Sequence, residues 1–412
     1  MREILASIDV GSSKIKMVVA EIIQDKINIL CALDEESRGV VKGKIVEPDE
    51  TEYAIKRLLK KVEENLGIKI TKVIVGIDEE RAVFRIGEAS ISITENDLEI
   101  LPSDIVSVLQ TSVKGQIDEG YDLVTVIPIM FKVDDKKTRI PRGMKGRSLS
   151  VKSVVVSAPK KDIYGIAKSL EKCGLEVIDI MFSSIGDYYA HKNESTDTET
   201  GVVIDMGAET IKISVFNKGI IINNIVLEAG GINIDSDIGY IYKLNDIDCK
   251  KIKETLGLAS RKHANEKEVE SLVNLLGEKV NINQYELTEI IVSRLREMLN
   301  MAKNEINYLT KKEISYIIIT GGLSELKDFD LEVESVFGSI ASVGRVKVIG
   351  ARDNKYAACI GMLKYFDQKL KLRDKDYSIL SQEDLDTLSA HGDKKSSGDS
   401  ILGKVFGIFF DN

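Results

Sequence analysis

The stretch ASIDVGSSKIKMVV, which begins at Ala6, combines a carboxylate with a tight turn and two lysines. An apolar strand ends at Asp9, and a Gly/Ser turn leads into a second apolar strand. Backbone N–H groups in such a turn form a concave site for an anion, and hydroxyl and ammonium groups add further donors. The pattern predicts a phosphate-binding β-hairpin. Its candidate ligand-binding residues are Asp9, Gly11, Ser12, Ser13, Lys14 and Lys16.

A second stretch, VVIDMGAETIKISVF from Val202, repeats this form: an apolar strand, an Asp, a turn and another strand. Its candidates are Asp205, Gly207 and Thr210. Two copies of one hairpin indicate two related half-domains. A carboxylate at each strand end would repel a bare phosphate, but it suits Mg²⁺, which keeps its waters and is held through one or two carboxylates. We therefore expect Asp9 and Asp205 to hold Mg²⁺ through water beside a nucleoside triphosphate, although two ordinary exposed hairpins are the alternative.

A third element, YIIITGGLSEL, begins at Tyr316 and predicts a buried strand, a turn at Gly321 and Gly322, and a helix. Glycines let the backbone approach a flat base or ribose. In this order, the three elements resemble the phosphate 1, phosphate 2 and adenosine motifs of the superfamily of actin, heat-shock chaperones and sugar kinases. The resemblance implies an α/β actin-like ATPase fold with two related RNase H-like halves, and ATP with Mg²⁺ as the ligand between them.

The overall composition agrees with a globular intracellular protein. The chain has 412 residues, of which 43% are hydrophobic and 30% charged, so it can bury a large core in two or more domains. Its net charge of −9 argues against general nucleic-acid binding. The four cysteines are isolated, and a reducing cytoplasm is the simplest location.

The segment between the two hairpins is rich in strands and is not required by an ATPase core. It contains IPIMFKVDD and, from Ile140, IPRGMKGRSL. These motifs are similar to subdomain 1C of the bacterial cell-division protein family FtsA. The segment LEAGGINID, with Gly230 and Gly231, and the helix RDNKYAACIGMLKYF, whose small residues allow close packing, resemble other parts of that family.

The resemblance implies a division of the chain into subdomains. The expected parts are 1–83 and 160–196 for subdomain 1A, 84–159 for the inserted FtsA-type subdomain 1C, 197–230 and 301–366 for 2A, 231–300 for 2B, 367–398 for a flexible linker, and 399–412 for a membrane-targeting amphipathic helix.

The resemblance also implies that Gly230, Gly231 and Lys253 contact the nucleotide. The chain departs from the family pattern at several places near the phosphates and ribose. These departures are Ala208, Glu209, Ile211 and Lys250. The segment FSSIGDYYAH offers no obvious Gln or Glu to activate water, and Asp187 is its nearest acid. We expect nucleotide binding with at most weak ATP hydrolysis.

The predicted long helix ELTEIIVSRLREMLNMAKNEI matches the family helix that binds the C-terminal tail of the ring protein FtsZ. Arg294 and Glu297 fall where that contact is made, although solvated charges on a helix are the simpler interpretation.

The C-terminal segment SILGKVFGIFFDN has apolar residues at helical spacing but is too short to span a bilayer. It predicts an amphipathic helix in the membrane interface, and docking onto the protein itself or a partner is the alternative. FtsA proteins end in this arrangement. The predicted lipid-facing residues are Ile401, Leu402, Val405, Phe406, Phe409 and Phe410.

Membership of this family implies a cell-division protein that polymerises with copies of itself and tethers the FtsZ ring to the cytoplasmic face of the membrane at the division site. Downstream division proteins would be further partners. One alternative is a metabolic kinase of the same superfamily, which would need a catalytic base facing a sugar pocket. The other is an FtsA-like scaffold of a type IV pilus machine, which would not need its own membrane helix.

Overall fold

The computed structural model describes residues 3–23, 26–94, 97–381, 384, 385 and 388. The elements up to residue 191 are β1 (Glu3–Val10), β2 (Lys14–Ile23), β3 (Lys26–Glu36), β4 (Val40–Val41), β5 (Lys44–Ile45), α1 (Pro48–Leu66), β6 (Lys72–Ile77), β7 (Val83–Ser92), α2 (Pro102–Val113), β8 (Tyr121–Val133), β9 (Lys136–Thr138), β10 (Ser148–Pro159), α3 (Lys160–Lys172), β11 (Glu176–Phe182) and α4 (Ser183–His191).

The elements from residue 200 onward again combine strands and helices. They are β12 (Thr200–Met206), β13 (Ile211–Asn217), β14 (Ile220–Leu227), α5 (Gly231–Tyr242), α6 (Asp246–Thr255), β15 (Val269–Val273), β16 (Lys279–Asn283), α7 (Gln284–Leu309), β17 (Tyr316–Thr320), α8 (Phe329–Phe337), β18 (Ala341–Val343) and α9 (Ala357–Leu372).

Two five-stranded mixed sheets with matching topology form the two halves. Their strand orders are β11-β6-β1-β2-β3 and β14-β13-β12-β17-β18. In each sheet the central strand, β1 or β12, pairs antiparallel with the next strand of its hairpin and parallel with a strand that follows a helical crossover. The two hairpins recognised in the sequence therefore occupy equivalent central positions. This arrangement confirms the predicted α/β fold with two related halves.

Helix α1 illustrates how local residues set an element's limits. Pro48 occupies the first turn, where its missing N–H costs no hydrogen bond, and two acidic residues follow at the positive end of the helix dipole. The helix ends at Gly67, which has the left-handed φ of 76° common at helix ends. Its apolar residues Ile55, Leu58 and Val62 are buried in the core of the first half of the protein.

The inserted segment forms a separate four-stranded antiparallel sheet in the order β7-β10-β8-β9. Helix α2 packs on this sheet, and the segment has its own hydrophobic core around Ile105, Val108 and Phe131. The end of α9 reaches this core, because Leu372 packs against it.

The prediction that a flexible linker begins at residue 367 was wrong. Helix α9 continues to Leu372, and beyond it Ile379 donates its N–H to the carbonyl oxygen of Ile4 at 2.9 Å. Ile379, Leu380 and Leu388 are buried in the core of the first half. These apolar residues lack a regular period, which is why the sequence pattern did not reveal that they pack.

The predicted membrane helix at 399–412, including Ile401, Leu402, Val405, Phe406, Phe409 and Phe410, lies outside the described residues. Within the described ranges, no helix is both long enough and apolar enough to cross a bilayer.

Candidate functional site

A cleft of about 740 Å³ lies between the two halves. This volume is within the range of pockets that bind small molecules and cofactors. Most of the residues that the sequence predicted for nucleotide binding line it. They are Asp9, Gly11, Ser12, Ser13, Lys14, Lys16, Asp205, Gly207, Thr210, Gly231, Lys253 and Gly322.

The first hairpin turn is closed by a hydrogen bond from the N–H of Gly11 to the carbonyl oxygen of Lys14, at 3.1 Å. Asp9 and Lys16 are directly opposite each other in the β1–β2 register, and Lys16 Nζ lies 2.6 Å from Asp9 Oδ2. Ser183, at the start of α4, donates its hydroxyl to Asp9 Oδ1 at 3.1 Å. Burial opposes ionisation of Asp9, but the positive charges of Lys16 and Lys212 outweigh it and lower its pKa.

The two lysines of this hairpin have different partners. Lys16 pairs with Asp9 at the base of the cleft, whereas Lys14 Nζ lies 2.6 Å from Asp34 Oδ1 on β3. Both lysines line the cleft. Lys16, with a side chain that is 17% exposed, is the more enclosed of the two.

The second hairpin has the same backbone turn and the same strand register as the first. The N–H of Gly207 donates to the carbonyl oxygen of Thr210 at 2.9 Å, as Gly11 does to Lys14. Asp205 is opposite Lys212 in the register, and their charged atoms are 3.9 Å apart. Burial raises the pKa of Asp205, and Lys212 only partly opposes this.

Lys212 is a functional candidate that the sequence analysis missed. Burial would lower its pKa, but the surrounding carboxylates, with Asp205 first and Glu79 second, raise it, so that the ammonium stays charged. The spacing from acid to lysine is the same in both hairpins, since Asp9 precedes Lys16 as Asp205 precedes Lys212. Comparing the two copies position by position would have identified it.

The predicted glycines Gly230 and Gly321 support the cleft without lining it. Gly321 has a φ of 93°, and a Cβ there would lie 2.2 Å from Asp205 Oδ1, so a side chain would displace the carboxylate. A Cβ on Gly230 would lie 2.5 Å from the backbone of Ala208. Each glycine lets one segment pack directly against the second turn.

Helix α6 supplies two lysines to the cleft from the second half. Lys253 Nζ lies 2.8 Å from Asp235 Oδ1 and donates to the carbonyl oxygen of Gly231. Lys250 reaches across to the first half, where it donates to Ser13 Oγ at 3.0 Å. The site therefore collects cations from both halves around the two turns.

Asp187 lies on α4, buried near Asp9 and Asp205. Its Oδ2 has no hydrogen-bond partner among the described residues. Burial, together with the charge of Asp205, raises the pKa of Asp187 well above its ordinary value. A shift in this direction disfavours the ionised form that a general base needs.

The predicted partner-binding residues lie on α7, away from the cleft. Arg294 makes a two-pronged contact with Asp237 on α5, with Nε to Oδ2 at 2.7 Å and Nη2 to Oδ1 at 2.9 Å. Its Nη1 donates to Glu297 Oε2 at 2.7 Å. The arginine is therefore already paired, and an acidic ligand would have to share it or replace Asp237.

The paired half-domains, the two equivalent Asp-x-Gly turns and the cleft between them define an actin-like fold. Solved structures agree with this class. A chain of the "PilM-PilN type IV pilus biogenesis complex" covers 87% of this chain and 97% of its own length with a TM-score of 0.58 at 13% identity. MreB5 of Spiroplasma citri bound to ADP covers 90% of this chain and 97% of its own at 0.56 and 11% identity. At these identities the likeness shows the fold.

The family follows from sequence comparison. The model of cell division protein FtsA matches residues 202–361, and that of the SHS2 domain inserted in FtsA matches residues 84–157. Cell division protein FtsA of Bacillus subtilis is 24% identical over 93% of this chain and 88% of its own. The protein of the same name from Streptococcus pneumoniae is 26% identical over 88% of this chain and 79% of its own. The chain belongs to the FtsA family.

Proposed function

We propose that the protein is an ATP-binding cell-division protein that polymerises and tethers the FtsZ ring to the cytoplasmic face of the membrane. The role in division rests on membership of the FtsA family. The observation that carries nucleotide binding is the pair of equivalent turns, each with an Asp–Lys pair at its base, on opposite walls of one cleft.

The donors in the cleft suit a triphosphate with a magnesium ion. Within the described ranges there is no cluster of three or more side chains arranged to hold a metal directly. Two carboxylates, Asp9 and Asp205, are what Mg²⁺ needs if water and phosphate oxygens supply its other ligands. The ion would neutralise phosphate charge. Lys16 favours the ionised form of Asp9, and Lys212 partly opposes the effect of burial on Asp205. The N–H groups of the two turns would donate to phosphate oxygens.

We further propose that ATP hydrolysis is slow. Burial and the charge of Asp205 raise the pKa of Asp187, which disfavours the ionised form that would accept a proton from water. Nucleotide binding with slow turnover suits a scaffold better than a metabolic kinase, which would need an ionised base beside a substrate pocket.

The partners we propose are the FtsZ tail at the surface around Arg294 and Glu297, membrane lipids at the C-terminal segment, a second copy of the chain, and downstream division proteins. A pilus-type scaffold is the second candidate, because the PilM-PilN chain has a similar fold. The apolar C-terminal segment favours the division protein, since the pilus scaffold would not need its own membrane helix.

Calorimetric titration with ATP, in Mg²⁺ and in EDTA, tests the nucleotide site. We expect the parent to bind more tightly with Mg²⁺, and Asp9→Asn and Asp205→Asn to lose most of that gain, roughly tenfold in affinity. Asp162→Asn is the control, because Asp162 pairs with Arg81 outside the cleft. If both cleft variants bind Mg-ATP as tightly as the parent, the metal assignment is wrong.

A further inference from the structure

A short hairpin, β4–β5, borders the cleft and contacts both turns of the proposed nucleotide site, 11–14 and 207–210, which we call the phosphate turns. Its tip residues are Lys42 and Gly43, both with positive φ, 50° and 76°. Two left-handed residues in a two-residue loop form a tight turn that fixes the direction of the tip. Gly43 itself lines the cleft.

The tip is bonded to the first turn on one side. The N–H of Gly43 donates to Ser12 Oγ at 2.9 Å, so the hairpin orients a hydroxyl that faces the cleft. This contact lies within the first half of the protein.

The same tip is bonded to the second half on its other side. The N–H of Lys42 donates to Glu209 Oε2 at 2.5 Å, and the Lys42 ammonium pairs with Glu228. The pair with Lys42 lowers the pKa of Glu228. Glu209, a departure from the family pattern in the second turn, is thereby directed to the opposite half.

We propose that the hairpin of residues 40–45 is a strap that links the two phosphate turns and sets the rate at which nucleotide enters and leaves. This inference rests on the proposed nucleotide site. A nucleotide between the turns can exchange only when the halves separate, and separation breaks the contacts of Lys42 with Glu209 and Glu228. These contacts involve protein atoms alone, so they favour the closed cleft with or without nucleotide.

If the hairpin is a strap, its effect on binding kinetics differs from that of a direct nucleotide contact. Weakening a contact that favours closure in both states should speed association and release together, while the equilibrium affinity changes little. Weakening a direct nucleotide contact would instead speed release alone and lower the affinity.

Three single variants separate these cases. Glu209→Ala removes the acceptor for the Lys42 N–H, whereas Glu209→Gln keeps an oxygen acceptor but removes the negative charge. Glu80→Ala is the matched control, because it breaks a salt bridge from the same hairpin, that of Lys44, which joins two parts of one half.

The probe is the fluorescent analogue mant-ATP with Mg²⁺, followed by stopped flow and chased with ATP. We expect Glu209→Ala to raise both rate constants roughly tenfold. Glu209→Gln and Glu80→Ala should stay within about threefold of the parent, since a neutral acceptor retains much of the hydrogen bond. Unchanged association and release rates of mant-ATP in Glu209→Ala would overturn the strap proposal. Tighter binding by both Glu209 variants with parental release would also overturn it, because Glu209 would then act only by repelling phosphate.

Hydrogen exchange of the peptide that contains Lys42 gives a readout that does not depend on nucleotide. The Lys42 amide should exchange faster in Glu209→Ala than in Glu80→Ala. Equal exchange rates of the Lys42 amide in these two variants would contradict the proposal that the hairpin is a strap. If the parent binds no mant-ATP, the proposed function fails, while faster exchange in Glu209→Ala would still support the contact between the halves.

Discussion

A Cβ built on Gly361 of α9 would lie 1.6 Å from the carbonyl oxygen of Gly186 on α4. The two helices therefore touch backbone to backbone, as the small residues of α9 led us to expect. The contact matters for the site because α4 begins at Ser183, which donates to Asp9. Close packing of α9 thus fixes the helix that supports the first carboxylate.

We expect Gly361→Ala to lower the free energy of unfolding by about 3 kcal/mol, because the added methyl group must push the helices apart. Gly165→Ala on α3 is the control, since a Cβ there meets nothing within 4 Å. It should stabilise the protein by about 0.5 kcal/mol or more through helix propensity alone. Urea unfolding measures both, and equal midpoints for the two variants would contradict the packing argument.

Glu79 should make the protein less stable as the pH rises. It is fully buried, and burial raises its pKa to about 7 from an ordinary value of 4.5. The folded state then keeps a proton that the unfolded state has lost, so the free energy of unfolding falls between these two values by about 3 kcal/mol. The Ser184 hydroxyl donates to the Glu79 carboxyl. Glu79→Gln should flatten the pH dependence and retain this hydrogen bond.

Urea midpoints measured between about pH 5 and about pH 8 check this prediction. Glu64→Gln is the control, because Glu64 is an exposed residue paired along α1 with Lys60. If the free energy of unfolding falls equally with rising pH in the parent and in Glu79→Gln, Glu79 is ionised in the folded protein.

Arg294→Ala should weaken binding of the FtsZ C-terminal tail peptide roughly tenfold, because it removes a cation and leaves Asp237 and Glu297 to repel an acidic ligand. Arg261→Ala changes the net charge equally and breaks a pair with Glu289 on the same helix α7. It should bind like the parent in a fluorescence anisotropy titration. Equal affinity for all three proteins, with unchanged circular dichroism, would exclude Arg294 from the contact.

The C-terminal segment should attach the protein to lipid weakly and reversibly. A helix this short is unfavourable alone in water until its apolar face is buried. Phe406→Asp should release the protein from sedimenting liposomes, whereas Phe406→Leu should retain binding. If removal of residues 399–412 leaves binding unchanged, the segment is not the anchor, and the pilus-type scaffold becomes the better interpretation.

The sequence alone determined the fold class, the family and most residues of the cleft. These were accessible because each of the two hairpin turns is built from residues close in the chain. Gly11 closes its turn on Lys14, and Gly207 closes the second turn on Thr210. The order of strand, acid, glycine and strand is therefore visible as a short pattern, and its repetition indicated two equivalent halves.

Only the tertiary structure decided which side chains meet from distant parts of the chain. It paired Lys14 with Asp34, joined Lys42 to Glu209, and packed Ile379 beside Ile4, where a linker had been expected. None of these contacts follows from periodicity, because a period reports which face of one element is buried and not which residue of another element lies opposite. The partner of a charged or apolar side chain depends on how whole sheets and helices pack, and that packing is set by the complete chain.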